Sequence, residues 1–217
     1  MRYRYILFDL DGTVTNPKEG ITKSFAYALE SFGIKTENRD ELCKVIGPPL
    51  TQSFREFYGF TKEQALLGAA KYRERYEKIG WAENEVYEGM EEALAALSSQ
   101  GAELILATSK PERFAVRIME HFGLAKYFTA LCGADDYAQN RSTKEEVVRY
   151  ALEQNGITDV GEVIMVGDRK YDVTGAAALG IKTVGVLYGF GDEKELTEAG
   201  ALHLVKTPRE LAEYLGV

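Results

Sequence analysis

Tyr5-Ile6-Leu7-Phe8-Asp9-Leu10-Asp11-Gly12-Thr13 sets a continuous apolar run directly against an acidic turn. Four consecutive apolar residues leave no polar side for solvent, so the run reads as a strand covered on both faces, closed by Asp9 and Gly12. Similar runs stand at Leu104-Ile105-Leu106-Ala107, Val163-Ile164-Met165-Val166 and Thr183-Val184-Gly185-Val186. Helical patterns lie between them, over Glu88 to Gln100, Pro111 to Phe122, Thr143 to Gln154 and Tyr171 to Leu179. Strands alternating with helices predict an α/β fold, a parallel sheet with helices on both faces whose ligands gather outside the carboxyl ends of the strands.

Between Ile21 and Trp81 the alternation stops and the pattern is helical throughout. Ile21, Phe25, Ala28, Leu29 and Phe32 share one helix face that ends at Gly33, and further helices are expected over Arg39 to Ile46, Thr51 to Tyr58 and Lys62 to Ile79. Phe25, Phe32, Phe54 and Phe57 are expected to pack the core of this insert. The predicted division is a core of residues 1–15 and 85–217 with a helical cap over 16–84. The cap carries 11 Lys or Arg against 10 Asp or Glu, a balance of +1 in a chain of net charge −8, so the acidity lies in the core.

A hydrophobic fraction of 45% and a charged fraction of 28% suit a globular protein, and no apolar stretch nears the ~20 residues of a membrane span. The N-terminus shows no signal-peptide pattern, so a cytoplasmic location is expected. With a net charge of −8 and no basic run, nucleic acid is not an expected partner. Cys43 and Cys132 are too few for a disulfide framework. Neither can serve a cysteine phosphatase, because Pro49 and Ala138 stand where that chemistry needs an arginine. No glycine is followed directly by lysine, which excludes a P-loop, and Gly189-Phe190-Gly191 lacks the third glycine of a dinucleotide fingerprint. His121 and His203 read as packing or surface residues.

The chemistry lies just beyond the strands: Asp9 and Asp11 after the first, Thr108 and Ser109 after the second, Asp168 and Asp172 after another. Carboxylates gathered at one sheet edge repel unless a cation neutralises them, and an oxygen-only donor set suits Mg²⁺. Ser142 and Glu145 fit a capping box that puts Lys144 in a first helical turn, where a cation opposes the helix dipole by roughly 0.3–1 kcal/mol. Asp168 and Asp172, four apart, are expected to share an early helical turn, where like charges cost about 0.2–0.5 kcal/mol. Both unfavourable placements are offset if Lys144 balances a carboxylate or phosphate and the aspartates bind a metal.

Asp9-Leu10-Asp11-Gly12-Thr13, Thr108, Lys144 and Gly167-Asp168-Arg169-Lys170-Tyr171-Asp172, in that order, resemble the motifs of the haloacid dehalogenase-like phosphatases. The resemblance runs end to end and looks like the phosphoglycolate phosphatase and 5′-nucleotidase branch, with a Rossmann-like core and a helical cap after the first motif. It implies a Mg²⁺-dependent phosphohydrolase of a small phosphorylated metabolite, a monomer or homodimer. In it Asp9 is the nucleophile that forms an aspartyl-phosphate, and Asp11 is the general acid and base. Lys144 is a third catalytic group; Leu10, Gly12, Thr108, Ser109 and Lys144 hold the phosphate; Asp9, Asp11 with its backbone carbonyl, Asp168 and Asp172 hold the metal, Asp172 through water or by holding Lys144. A phosphosugar mutase of the same family shares these motifs, and a phosphoaccepting receiver-like signalling domain also uses an Asp, acidic metal ligands, a Thr or Ser and a Lys on a parallel sheet. The helical insert and the paired Asp9 and Asp11 disfavour the receiver, which needs neither a substrate lid nor a leaving-group acid.

Overall fold

The computed structural model describes residues 3–136 and 141–217. Six strands, β1 (Tyr5–Phe8), β2 (Glu103–Pro111), β3 (Phe128–Ala134), β4 (Val163–Gly167), β5 (Lys182–Val186) and β6 (His203–Val205), form one sheet in the order β3-β2-β1-β4-β5-β6. Every pairing in it is parallel. The strand order reverses direction between β1 and β4, the switch point at which α/β sheets of this kind open a crevice for ligands. β1 lies at the centre, Leu7 opposite Ile105 on one side and Met165 on the other, and Ile6, Leu7 and Phe8 are fully buried. That position is why the run carries no polar residue.

One face of the sheet is covered by the helices Lys144–Gln154 and Lys170–Ala177. Val147, Val148 and Ala151 of the first and Ala176 of the second join Leu7, Ile105 and Met165 in one apolar cluster. The helices Met90–Ser99 and Pro208–Leu215 pack on each other, and Glu112–His121 and Glu193–Ala199 complete this unit. Burying this many branched side chains stabilises the core at roughly 25 cal/mol for each Å² of apolar surface removed from water. Strands β3 and β6 and the helices Glu193–Ala199 and Pro208–Leu215 go beyond the sequence reading.

The chain divides into two compact units, one running to Asn16 and resuming at Val86, the other spanning Pro17–Glu85. The second unit holds the helices Lys18–Glu30, Leu50–Tyr58 and Lys62–Arg75, the last continuing into a π turn over Tyr76–Gly80. Arg39–Val45 is a 3₁₀ segment rather than the expected α-helix. Phe25 stacks on Phe54 with centroids 4.3 Å apart, and Phe60 meets Phe54 at 5.4 Å and Phe32 at 4.8 Å. Phe57 does not join this core: it is 37% exposed, and the Lys44 ammonium lies 5.2 Å from its ring centre. Phe60, which follows the left-handed Gly59 that ends its helix, takes the place expected of Phe57.

Candidate active site

Asp9 continues from β1, and its amide donates to the Val166 carbonyl of β4 at 2.9 Å, which fixes it at the switch point. Beyond it the chain folds back on itself: the Leu10 carbonyl accepts from the amides of Thr13, Val14 and Thr15 at 3.2, 2.9 and 3.0 Å. Gly12 has φ +88°, and a Cβ there would collide with Asp168 Oδ2. Glycine is therefore required at position 12 by backbone conformation and by the carboxylate beside it.

Asp168 follows β4 but precedes the helix Lys170–Ala177, so it does not share a helical turn with Asp172 as expected. The two carboxylates reach one site from a loop and a helix. Asp172, in the first turn, accepts from the Arg169 amide at 3.0 Å and caps the helix. Lys144 opens its helix, and its N-cap is Thr143 with Glu146 completing the capping box, one residue later than the Ser142 and Glu145 pairing. Both pairs fit the motif; here Glu146 accepts from the Ser142 and Thr143 amides together, at 2.8 and 2.9 Å.

One oxygen each of Asp9, Asp168 and Asp172 lie within 4.8 Å of one another. Their residues are 8%, 0% and 1% exposed. The Lys144 ammonium is 2.7 Å from Asp9 Oδ1, 2.7 Å from Asp172 Oδ1 and 3.0 Å from the Ala107 carbonyl. Asp168 Oδ2 accepts from the Phe190 amide at 2.8 Å, while its buried Oδ1 has no hydrogen-bond partner among the described residues.

Burial pushes Asp168 well above the ordinary carboxylate range, reinforced by Asp172 and Asp9. Burial pushes Asp172 up to about 6 even though Lys144 opposes the shift. For Lys144 burial acts downward, but Asp172 and Asp9 outweigh it and the ammonium is held charged. Three buried carboxylates thus lie together, two of them against the Lys144 ammonium, and a carboxylate oxygen without a partner among the described residues is a ready ligand. This all-oxygen cluster fits a hard divalent cation, and Asp9, Asp168 and Asp172 could hold it.

Thr108 lies in β2 and is buried; its hydroxyl accepts from the Lys110 amide at 3.2 Å, which leaves its own proton to donate. Ser109 beside it is half-buried. Asp11 is raised above the usual carboxylate range by burial, against the pull of Lys110, whose ammonium sits 2.5 Å from Asp11 Oδ2. Two groups were not singled out in the sequence. One is Lys110, whose place two residues beyond Thr108 was its only signal. The other is the segment Tyr188 to Gly191. Tyr188 meets Tyr87 edge to face at 4.9 Å, and a Cβ on Gly191 would collide with the Asp168 carbonyl. The two glycines that fail as a dinucleotide fingerprint let this loop close on Asp168. His203 stacks on Tyr214 at 4.1 Å, a packing role as expected.

Residues 6–186 match the pattern of the haloacid dehalogenase-like hydrolases, and the chain belongs to that family as a phosphatase, a phosphoric monoester hydrolase. A Pseudomonas aeruginosa protein named 5′-nucleotidase is 43% identical over 196 residues, 90% of this chain and 88% of that protein. A Mycobacterium tuberculosis protein named tyrosine-protein kinase PtkA is 38% identical over 216 residues, 98% of this chain and 72% of that one. A crystal structure described as a predicted phosphatase from Clostridium acetobutylicum is 45% identical with a TM-score of 0.95, covering 99% of both chains. Among the described residues no helix is long and apolar enough to cross a membrane.

Proposed function

We propose that this chain is a Mg²⁺-dependent phosphatase of small phosphate monoesters, acting through an aspartyl-phosphate on Asp9, with nucleoside 5′-monophosphates as its foremost substrate class. The observation that carries the reading is the cluster of three buried carboxylates beside the ammonium of Lys144, with Asp168 Oδ1 lacking a hydrogen-bond partner among the described residues. The likeness to the P. aeruginosa 5′-nucleotidase supports the choice of substrate class over phosphoglycolate.

Mg²⁺, held by Asp9, Asp168 and Asp172 with the Asp11 carbonyl, would neutralise the charge that otherwise keeps a carboxylate away from an anionic phosphoryl group. Asp9 attacks phosphorus through a carboxylate oxygen while the leaving oxygen takes a proton from Asp11. Asp11 then accepts a proton from the water that cleaves the Asp9 acyl-phosphate bond. Thr108 donates its hydroxyl to a phosphoryl oxygen, and Lys144, 2.7 Å from Asp9 Oδ1, holds the nucleophile in place. The Leu10 amide, on the turn that follows Asp9, and Gly12, which has no side chain to obstruct the phosphate, shape the floor of the site.

A screen of phosphorylated metabolites with and without Mg²⁺, read as inorganic phosphate release, tests the reading. Nucleoside 5′-monophosphates should turn over best, phosphoglycolate and hexose phosphates less well. Asp9→Asn should abolish turnover with the fold intact. Substantial kcat in that variant would sink the aspartyl-phosphate mechanism, and transfer of the phosphoryl group back to a sugar would make the chain a mutase.

A further inference from the structure

Strand β2 does not run straight into its last residues. Thr108 pairs with Gly133 of β3 and Pro111 with Ala134, so Ser109 and Lys110 are extra residues set against one step of the neighbouring strand. Such a bulge re-aims side chains. The Thr108 hydroxyl closes it by accepting the Lys110 amide, and a Cβ on Gly133 would come within 2.7 Å of the Lys110 carbonyl, so the bulged segment lies against β3 without room for a side chain. The outcome is that Lys110, nearly buried, reaches Asp11 across the end of β1, its ammonium 2.5 Å from Oδ2. Asp11 Oδ1 is buried and has no hydrogen-bond partner among the described residues.

We infer that Lys110 is a positioning residue for the acid and base step: it clamps Asp11 Oδ2 and leaves Oδ1 as the one oxygen that gives its proton to the leaving group and takes one from water. The inference rests on the role proposed for Asp11. An unclamped carboxylate presents either oxygen by rotating about its last bond, and the proton-transfer geometry is then lost for part of the time. In the first step the Asp11 proton goes to the leaving oxygen as the P–O bond breaks and the Asp9–P bond forms; in the second, a water proton returns to Asp11 as the Asp9–P bond breaks.

The test is a double-mutant cycle on the full chain with saturating Mg²⁺, comparing an alkyl phosphate with p-nitrophenyl phosphate. Lys110→Met should lower kcat on the alkyl phosphate by roughly tenfold or more while KM moves little, and lower it less on the aryl phosphate, whose leaving group needs no proton. Lys110→Arg, which keeps the cation, should recover part of the loss. In an Asp11→Asn background Lys110→Met should cost less than about threefold, because the partner it positions is gone. Equal losses in both backgrounds, or a change confined to KM, would show that Lys110 touches the phosphoryl group or substrate directly and would overturn the inference. If Lys110→Met alone fails to fold, the Asp11→Asn and Lys110→Met double variant has no unpaired charge at this pair. Comparing it with Asp11→Asn and with Lys110→Arg still distinguishes the outcomes. Turnover in Asp9→Asn would overturn the nucleophile reading without touching this cycle.

Discussion

Lys144 and Asp9 are 135 positions apart in the chain, and in the fold the Lys144 ammonium lies 2.7 Å from Asp9 Oδ1. A cation at the start of a helix opposes the dipole, but here it stands between Asp9 and Asp172, a gain that outweighs the roughly 0.3–1 kcal/mol at stake. Lys144→Met leaves the apolar stem and removes the charge. Breaking a buried pair in this way costs about 3–5 kcal/mol, so the metal-free variant should melt well below the parent. Added Mg²⁺ should restore much of the melting temperature, while kcat should stay down by about a hundredfold or more, the scale of a lost catalytic group. A variant with parental kcat would remove Lys144 from the mechanism.

Gly189 is held to glycine by Asp168: a Cβ would collide with the Asp168 Cβ and with the Gly12 carbonyl. Gly189→Ala must therefore push the Tyr188 to Gly191 loop away, and with it the Phe190 amide that holds Asp168 Oδ2. Supporting contacts to metal ligands are worth about 10–100-fold in affinity, so the Mg²⁺ concentration for half-maximal activity should rise by that factor. Titration calorimetry with Mg²⁺ alone should report the same weakening. An unchanged metal affinity would mean that the loop does not support the cation.

Burial raises Asp172 from an ordinary 3.8 to about 6, and Asp168 moves in the same direction. A carboxyl group whose folded pKa is raised binds its proton more tightly in the native state, so ionising it opposes folding. The cost is absent below pH 3.8, grows through the window up to about 6 and is complete above it. Metal-free protein should lose this contribution as pH rises, and Mg²⁺, which binds the ionised carboxylates, should offset it. The rise in melting temperature on adding Mg²⁺ should then be large at pH 8 and small at pH 5. Equal increments at the two values would place the cation away from these aspartates.

The apolar runs at Tyr5–Phe8 and Val163–Val166 were legible because central parallel strands are buried on both faces and tolerate no polar residue. Strand β3 was not, since it lies at a sheet edge, is half-exposed over most of its length and includes Thr129 and Gly133. The carboxylates were readable by motif, but their geometry was not: the spacing of Asp168 and Asp172 suggested one helical face, whereas the helix begins between them. Overlapping capping signals at Ser142 and Thr143 could not be ranked from spacing alone. Lys110 escaped notice because a strand bulge, invisible in the sequence, turns it toward Asp11.

The unit Pro17–Glu85 is proposed as a lid that recognises the leaving group, and its removal tests that role. The chain leaves the core after Asn16 and resumes in it at Val86, so a short linker joining Asn16 to Val86 restores its continuity. Asp9, Asp11, Thr108, Lys110, Lys144, Asp168 and Asp172 all lie outside the deletion. The shortened protein should keep Mg²⁺-dependent hydrolysis of p-nitrophenyl phosphate, at reduced kcat. Its preference among nucleoside 5′-monophosphates, phosphoglycolate and hexose phosphates should flatten, since the groups that distinguish leaving groups would be gone. Circular dichroism must first establish that the core is folded. A folded core that discriminates among these metabolites as sharply as the full chain would place specificity in the catalytic unit and refute the proposed role of the insert.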